Sequence, residues 1–334
     1  MKHSEATSAC ICAATVIFTL AWLSVAHLEI DAGISERNRL HQFWPLSDQF
    51  NLSSAALAAG EIRPRLDRRT LIETFHDEFT DFNWYADGKI THRPGGGTWR
   101  THFGYAGVQD RGSRTLPSNG EQQIYVDEGF QGTANAPLGL NPFRIVNGVL
   151  EITAERASEQ IRRYIWNYPY VSGLITTRGT FAQQYGVFEV RARVPRGRGL
   201  WSCAWLLPVK GGWPPEIDLL EILGHQTDKL VTTWHSGSTG KHTMDPIVTT
   251  IPDASAQFHV YALDWNENQI RWYFDGTEVS RTPTPPDMHT PMYLLINLAV
   301  GGYWPGSPDA STEFPAALSL DWVRVYRRAN SGAI

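Results

Sequence analysis

Cysteine is scarce in this chain, and two of its three copies, Cys10 and Cys12, lie inside an apolar N-terminal run. If that run is removed, Cys203 is the only thiol left. No internal disulfide can then form, and the domain must rely on its core. Charge of one sign is also missing. The 29 basic and 34 acidic residues leave a net charge of −5, and Arg63 to Arg69 is the only basic cluster, a short one. A nucleic-acid partner is therefore not expected. No helical periodicity lasts beyond two or three turns, and no repeat of solenoid or propeller period is present. The chain also lacks a G-x-S-x-G elbow, a P-loop, a dinucleotide fingerprint, and H-E-x-x-H or C-x-x-C spacing.

What the chain has is aromatic residues and turns. It carries 13 Trp, 12 Tyr and 14 Phe. Most of these should fill the core, with a share left for stacking on sugar rings. Short alternating apolar runs recur between Gly and Pro. Examples are Thr74–Phe79, Gly148–Ala154, Gly186–Val194, Leu200–Leu207, Glu216–Ile222, Met292–Ala299 and Leu318–Tyr326. Asp275-Gly276 between two such runs is the strongest hairpin signal, because it supplies the positive φ angles of a tight turn. This pattern predicts an all-β antiparallel sandwich or barrel.

At the N-terminus, Lys2 and His3 precede the apolar run Ala9 to Ala26, and Ser24-Val25-Ala26 offers small residues for cleavage. Residues 1–26 are expected to be a secretory signal, which makes the protein secreted or periplasmic. An uncleaved membrane anchor is the alternative. Residues 27–70 read as an extension or linker, 71–328 as the main domain, and 329–334 as a tail. A monomer is expected.

The segment Trp213-Pro214-Pro215-Glu216-Ile217-Asp218-Leu219-Leu220-Glu221 puts three carboxylates among aliphatic residues. Unpaired buried charge is costly, so such a cluster points to use. As a helix the segment shows no clean apolar stripe. As a strand, Glu216 and Asp218 share one face while Glu221 is out of phase by one residue. A bulge at Leu219-Leu220 would bring Glu221 onto that face. Glu216 and Glu221 would then have Cα atoms about 13 Å apart at roughly 3.3 Å per residue. Side chains leaning together on a concave sheet would close this to roughly 5–6 Å. That suits retaining glycoside hydrolysis, at about 5–5.5 Å, better than inverting hydrolysis, at about 6.5–9.5 Å. A half-buried strand with its acids in solvent is the alternative.

Trp201 and Trp205 share a strand face and are candidates for a sugar platform, with core packing as the alternative. His235 is a candidate hydrogen-bond partner for a carboxylate or a sugar hydroxyl, though a lone His is more often structural. A metal held by the acids with His225 or His235 is the weaker chemistry, because no His lies at regular ligand spacing.

The acid segment resembles the active-site strand of glycoside hydrolase family 16, in its bulged E-x-D-x-x-E, laminarinase-like form. Asn119-Gly120-Glu121-Gln122-Gln123-Ile124-Tyr125, Ser172 to Gly179, Tyr185 to Glu189, Asn297 to Gly302 and Asp321 to Tyr326 also look like family segments, in family order. Trp-Pro-Pro-Glu-Ile-Asp followed by Glu-Ile-Leu-Gly-His is similar to bacterial endo-glycanases acting on exopolysaccharide such as succinoglycan. Ser202-Cys203 departs from the family, where Pro often follows the cleft Trp.

The resemblance implies a jelly roll with a concave substrate cleft. It also implies retaining endo-hydrolysis of β-1,3- or mixed β-1,3-1,4-glucan without a catalytic cofactor. Glu216 would be the nucleophile, Glu221 the acid/base and Asp218 the group that tunes them. Trp201, Trp205, Trp213, His235, Asn119 and Asn297 would bind substrate. Asp321 and the Gly148 carbonyl would hold a structural calcium. A transglycosylase on the same fold and a non-catalytic glucan-binding lectin are the rival readings.

Overall fold

The alternating runs become strands, as their period requires. A computed structural model describes residues 63–86, 89–90 and 98–329. Two ten-stranded sheets pack face to face. The first has the spatial order β18 (Thr277–Pro283), β17 (Gln269–Phe274), β16 (His259–Trp265), β10 (Gly186–Arg193), β20 (Ala316–Arg328), β7 (Val149–Arg156), β8 (Tyr170–Ser172) and β5 (Gln123–Tyr125). On it, β1 (Leu71–Asp77) pairs with β20, and β6 (Phe143–Val146) with β7.

The second sheet runs β14 (Thr243–Met244), β13 (Lys229–Ser236), β12 (Glu216–Leu223), β11 (Leu200–Pro208), β19 (Met292–Val300), β9 (Leu174–Thr176), β4 (Trp99–Arg100), β2 (Trp84–Ala86) and β3 (Lys89–Ile90). There, β15 (Ile247–Thr250) pairs with β13. Pairing is antiparallel nearly throughout, and β2–β4 and β5–β8 are parallel. The one α-helix among the described residues, α1 (Glu159–Arg162), is a single turn.

The hairpin of β17 and β18 forms as its turn residues demand, with Asp275 at φ 48° and Gly276 at φ 74°. Alternation then divides each strand between two environments. Ala204 and Leu206 of β11 and Ile217 and Ile222 of β12 enter the core between the sheets, with Val190, Leu263, Leu294 and Val323. Trp201, Cys203, Trp205 and Leu207 turn the other way and join Phe103, Tyr125, Leu174, Tyr293 and Leu295. That outer face of the second sheet carries the site.

The expected boundary at residue 71 shifts toward the N-terminus. Leu66 is buried with Val187, Ala262 and Tyr273, and Arg68 pairs with Glu189 at 2.5 Å. Residues 64–70 thus belong to the edge of the domain. The expected signal or anchor, the rest of the extension and most of the tail lie outside the described residues. Among the described residues no helix is long and apolar enough to cross a membrane.

Candidate active site

The register of β12 explains how three acids reach one face. Trp205 stands opposite Asp218, and Ala204 stands opposite Leu220, so Leu219 has no partner on β11. The β12–β13 ladder is broken over the same stretch, between Asp218 and Glu221. Both Leu219 and Leu220 point into the core. This one-residue bulge turns Glu221 to the outer face beside Glu216 and Asp218. The bulge is tied to the opposite sheet: Trp272 of β17 donates its indole N–H to the Asp218 carbonyl oxygen at 2.8 Å.

The carboxylates have dedicated partners. Trp213 Nε1 donates to Glu216 Oε2 at 2.7 Å. Thr233 Oγ1 of β13 donates to Glu221 Oε2 at 3.1 Å. His235 Nε2 lies 3.2 Å from Asp218 Oδ2 and 3.8 Å from Glu216 Oε1. The 3.2 Å approach is a close contact that makes no hydrogen bond. On its far side, His235 Nδ1 is 3.0 Å from His242 Nε2, with the two rings nearly parallel at 8°. Trp201 Nε1 makes no hydrogen bond of normal geometry.

Burial sets the charges of this group. It pushes Glu216 up to about 8, helped by the Asp218 charge. It pushes Asp218 up to about 7, against a hydrogen bond with Glu216 that lowers it. Glu221 is held well above the usual carboxylate range by burial, then by the charges of Asp218 and Glu216. Burial also lowers His235, which keeps the ring neutral. Glu221 is thus the group that keeps its proton, while Glu216 and Asp218 share one between them.

A model of glycosyl hydrolases family 16 matches residues 139–324. The chain belongs to glycosyl hydrolase family 16. The endo-1,3-1,4-β-glycanase ExsH of Rhizobium meliloti (strain 1021) is 41% identical over 83% of the chain and 56% of its own length. The endo-1,3-1,4-β-glycanase EglC of the same organism is 40% identical, with the same coverage. The chain therefore spans about half the length of these curated relatives. The laminarinase catalytic domain of Thermotoga maritima MSB8 superposes with a TM-score of 0.61 at 29% identity, over 78% of this chain and 99% of that one. SCLam, a non-specific endo-β-1,3(4)-glucanase, gives 0.63 at 26% identity, over 80% and 95%.

Within this family-16 domain the other expected site residues take different places. Trp213 is half exposed beside Glu216. Trp205 is buried, and its Nε1 donates to Asn297 Oδ1 at 2.8 Å. Asn297 is buried in turn and donates from Nδ2 to the Tyr125 hydroxyl at 2.9 Å. Its amide links Trp205 to Tyr125 and holds the floor together. Trp201 is buried edge-on against Trp304, with centroids 5.2 Å apart. Asn119 donates to Glu121 Oε1 at 3.3 Å.

Glu216, Asp218 and His235 each offer one donor atom within a 4.8 Å span, enough in size for a metal. His225 is exposed beyond the end of β12 and takes no part. The expected calcium ligands fare differently. Asp321 of β20 is paired with the Arg191 guanidinium, and Gly148 sits in the turn between β6 and β7. Calcium needs about six to eight oxygens. A guanidinium on the one carboxylate repels a cation, so these residues do not fit a calcium site. Sequence reasoning missed Trp272, Thr233 and His242. They come from β13, the loop after it and β17, and no spacing links them to the acids.

Proposed function

We propose that this protein is a retaining endo-β-glucanase. The observation that carries the proposal is the single bulge that sets Glu216 and Glu221 on one face with Asp218 between them. Glu216 attacks the anomeric carbon while Glu221 protonates the departing glycosidic oxygen. The bond to the leaving sugar breaks and a glycosyl ester forms on Glu216. Glu221, now ionised, takes a proton from water, whose oxygen attacks the same carbon and releases Glu216. Asp218 takes up the shared proton as Glu216 ionises. Trp213 N–H steadies the resulting carboxylate.

The oxygens that a metal at Glu216 and Asp218 would occupy are those this chemistry needs free. The similarity to endo-1,3-1,4-β-glycanases supports a β-1,3- or mixed β-1,3-1,4-linked glucan, or an exopolysaccharide such as succinoglycan. A polymer of this kind lies outside the cell. The apolar run Ala9 to Ala26 fits with export, which the mass of the mature protein would test.

Glu216→Ala should abolish release of reducing sugar from laminarin, lichenan and succinoglycan while leaving thermal unfolding unchanged or improved. Turnover like wild type in that variant would overturn the assignment. Products longer than the starting oligosaccharide would instead indicate transglycosylation. Glucan binding without cleavage by the wild type would indicate a lectin.

A further inference from the structure

One cross-strand row leads away from the acids. Asp218 is opposite Trp205, Trp205 opposite Leu295, Leu295 opposite Thr176, and Thr176 opposite Arg100. Residues directly opposite each other share a face. Arg100 of β4 therefore stands on the face of the acids, four strands away, or roughly 19 Å at about 4.8 Å per strand. Arg178, two residues beyond Thr176, joins it. A Cβ placed on Gly179 would lie 3.3 Å from Arg100 Nη2. A Cβ placed on Gly104 would lie 3.0 Å from Arg178 Nη1 and 3.6 Å from His102 Nδ1.

Aromatic residues line the way between. Phe103 lies 6.1 Å from Trp205 and is parallel to half-exposed Tyr105 at 5.3 Å. The Arg178 guanidinium is 5.4 Å from the Tyr105 ring and 6.0 Å from that of Tyr293. After burial, the Glu216 charge is among the influences that raise both tyrosine hydroxyls, so they belong to the same surface as the nucleophile.

Among the described residues, no carboxylate lies within 4.0 Å of Arg100 or Arg178, although the chain has more acids than bases. Arg178 uses Nη1 on the Phe103 carbonyl oxygen. The buried Arg100 Nε and His102 Nδ1 have no hydrogen-bond partner. Burial, then the charges of Arg114, Arg100 and Arg178, bring His102 down to about 4, against the opposite pull of Asp127. Two arginines on one stretch of the sheet, with the buried Arg100 Nε unused, have no anion among the described residues. A carboxylate matches the planar fork of arginine.

We propose that Arg100, Arg178 and His102 form a subsite for a carboxylate substituent on the glucan, about four strand spacings from the bond that is cleaved. The subsite rests on the endo-glucanase reading and refines it: the preferred substrate is an acidic glucan. Charge there selects for the chain to be cut and fixes its register on the sheet.

Binding tests the subsite separately from catalysis. The Glu216→Gln protein is titrated calorimetrically with a neutral mixed-linkage β-glucan oligosaccharide. It is then titrated with the same oligosaccharide carrying C6 carboxylates. The carboxylated form should bind about tenfold more tightly at low salt, with the gain shrinking as salt is added. Arg100→Gln with Arg178→Gln should erase the gain, and the Arg→Lys pair should keep part of it. Equal affinity for the two oligosaccharides would overturn the proposal, as would a gain untouched by the Gln pair. Wild-type hydrolysis of neutral glucan reports separately on the parent reading, so the two can fail independently.

Discussion

Glu216, Asp218 and Glu221 differ from ordinary acids because they are buried together and each has its own partner. Removing the charge of Asp218 exposes that coupling. Its charge raises both Glu216 and Glu221, so Asp218→Asn lowers both toward the ordinary carboxylate range. The alkaline limb of the pH–rate profile follows loss of the Glu221 proton, and the acid limb follows protonation of Glu216. Both limbs should move to lower pH, and kcat at the wild-type optimum should fall about tenfold or more. An optimum that stays in place or moves upward would contradict the assigned roles. The acids were legible in sequence because three carboxylates among Ile and Leu break the usual rule for buried charge. Asn297 was legible only as a position: its amide bonds Trp205 and Tyr125, the second a residue 172 positions away that no local pattern encodes.

At the level of the strand, the bulge in β12 decides the chemistry. Inserting one Ala after Leu220 would shift the phase by one residue and swing Glu221 toward the core. Hydrolysis should disappear and unfolding should come at lower denaturant. Leu219→Ala keeps the phase, so it should cost about 2–5 kcal/mol through the cavity left behind yet retain activity. An active insertion variant would refute the role of the bulge. Trp272 makes a second test. Trp272→Phe removes the N–H that serves the Asp218 carbonyl, which should cost about 1–3 kcal/mol for an unsatisfied buried acceptor. Denaturant titration should show that loss, with kcat falling more than KM changes; unaltered stability would contradict it. The bulge was legible from a one-residue phase error, and the β17–β18 hairpin from Asp275-Gly276. The order of strands was not, because β10 lies between β16 and β20 only through pairings set by the whole core. Trp272 was invisible for the same reason, since it reaches Asp218 from the other sheet.

Across the whole molecule, two sheets bury an apolar core and leave one face of the second sheet for substrate. The acids occupy β12, the aromatic floor lies on β11 and β19, and Arg100 and Arg178 sit at β4 and just past β9. The sandwich was legible from many short runs between turns. The start of the domain was not, because Leu66 and Arg68 pack on strands far ahead in the chain. The central claim is that Glu216 attacks directly, with no water placed between the acids. Proton NMR of the first product released from a mixed-linkage β-glucan oligosaccharide tests this most directly. The account predicts that the β-anomer appears first and mutarotates slowly to the mixture. The α-anomer appearing first would contradict it.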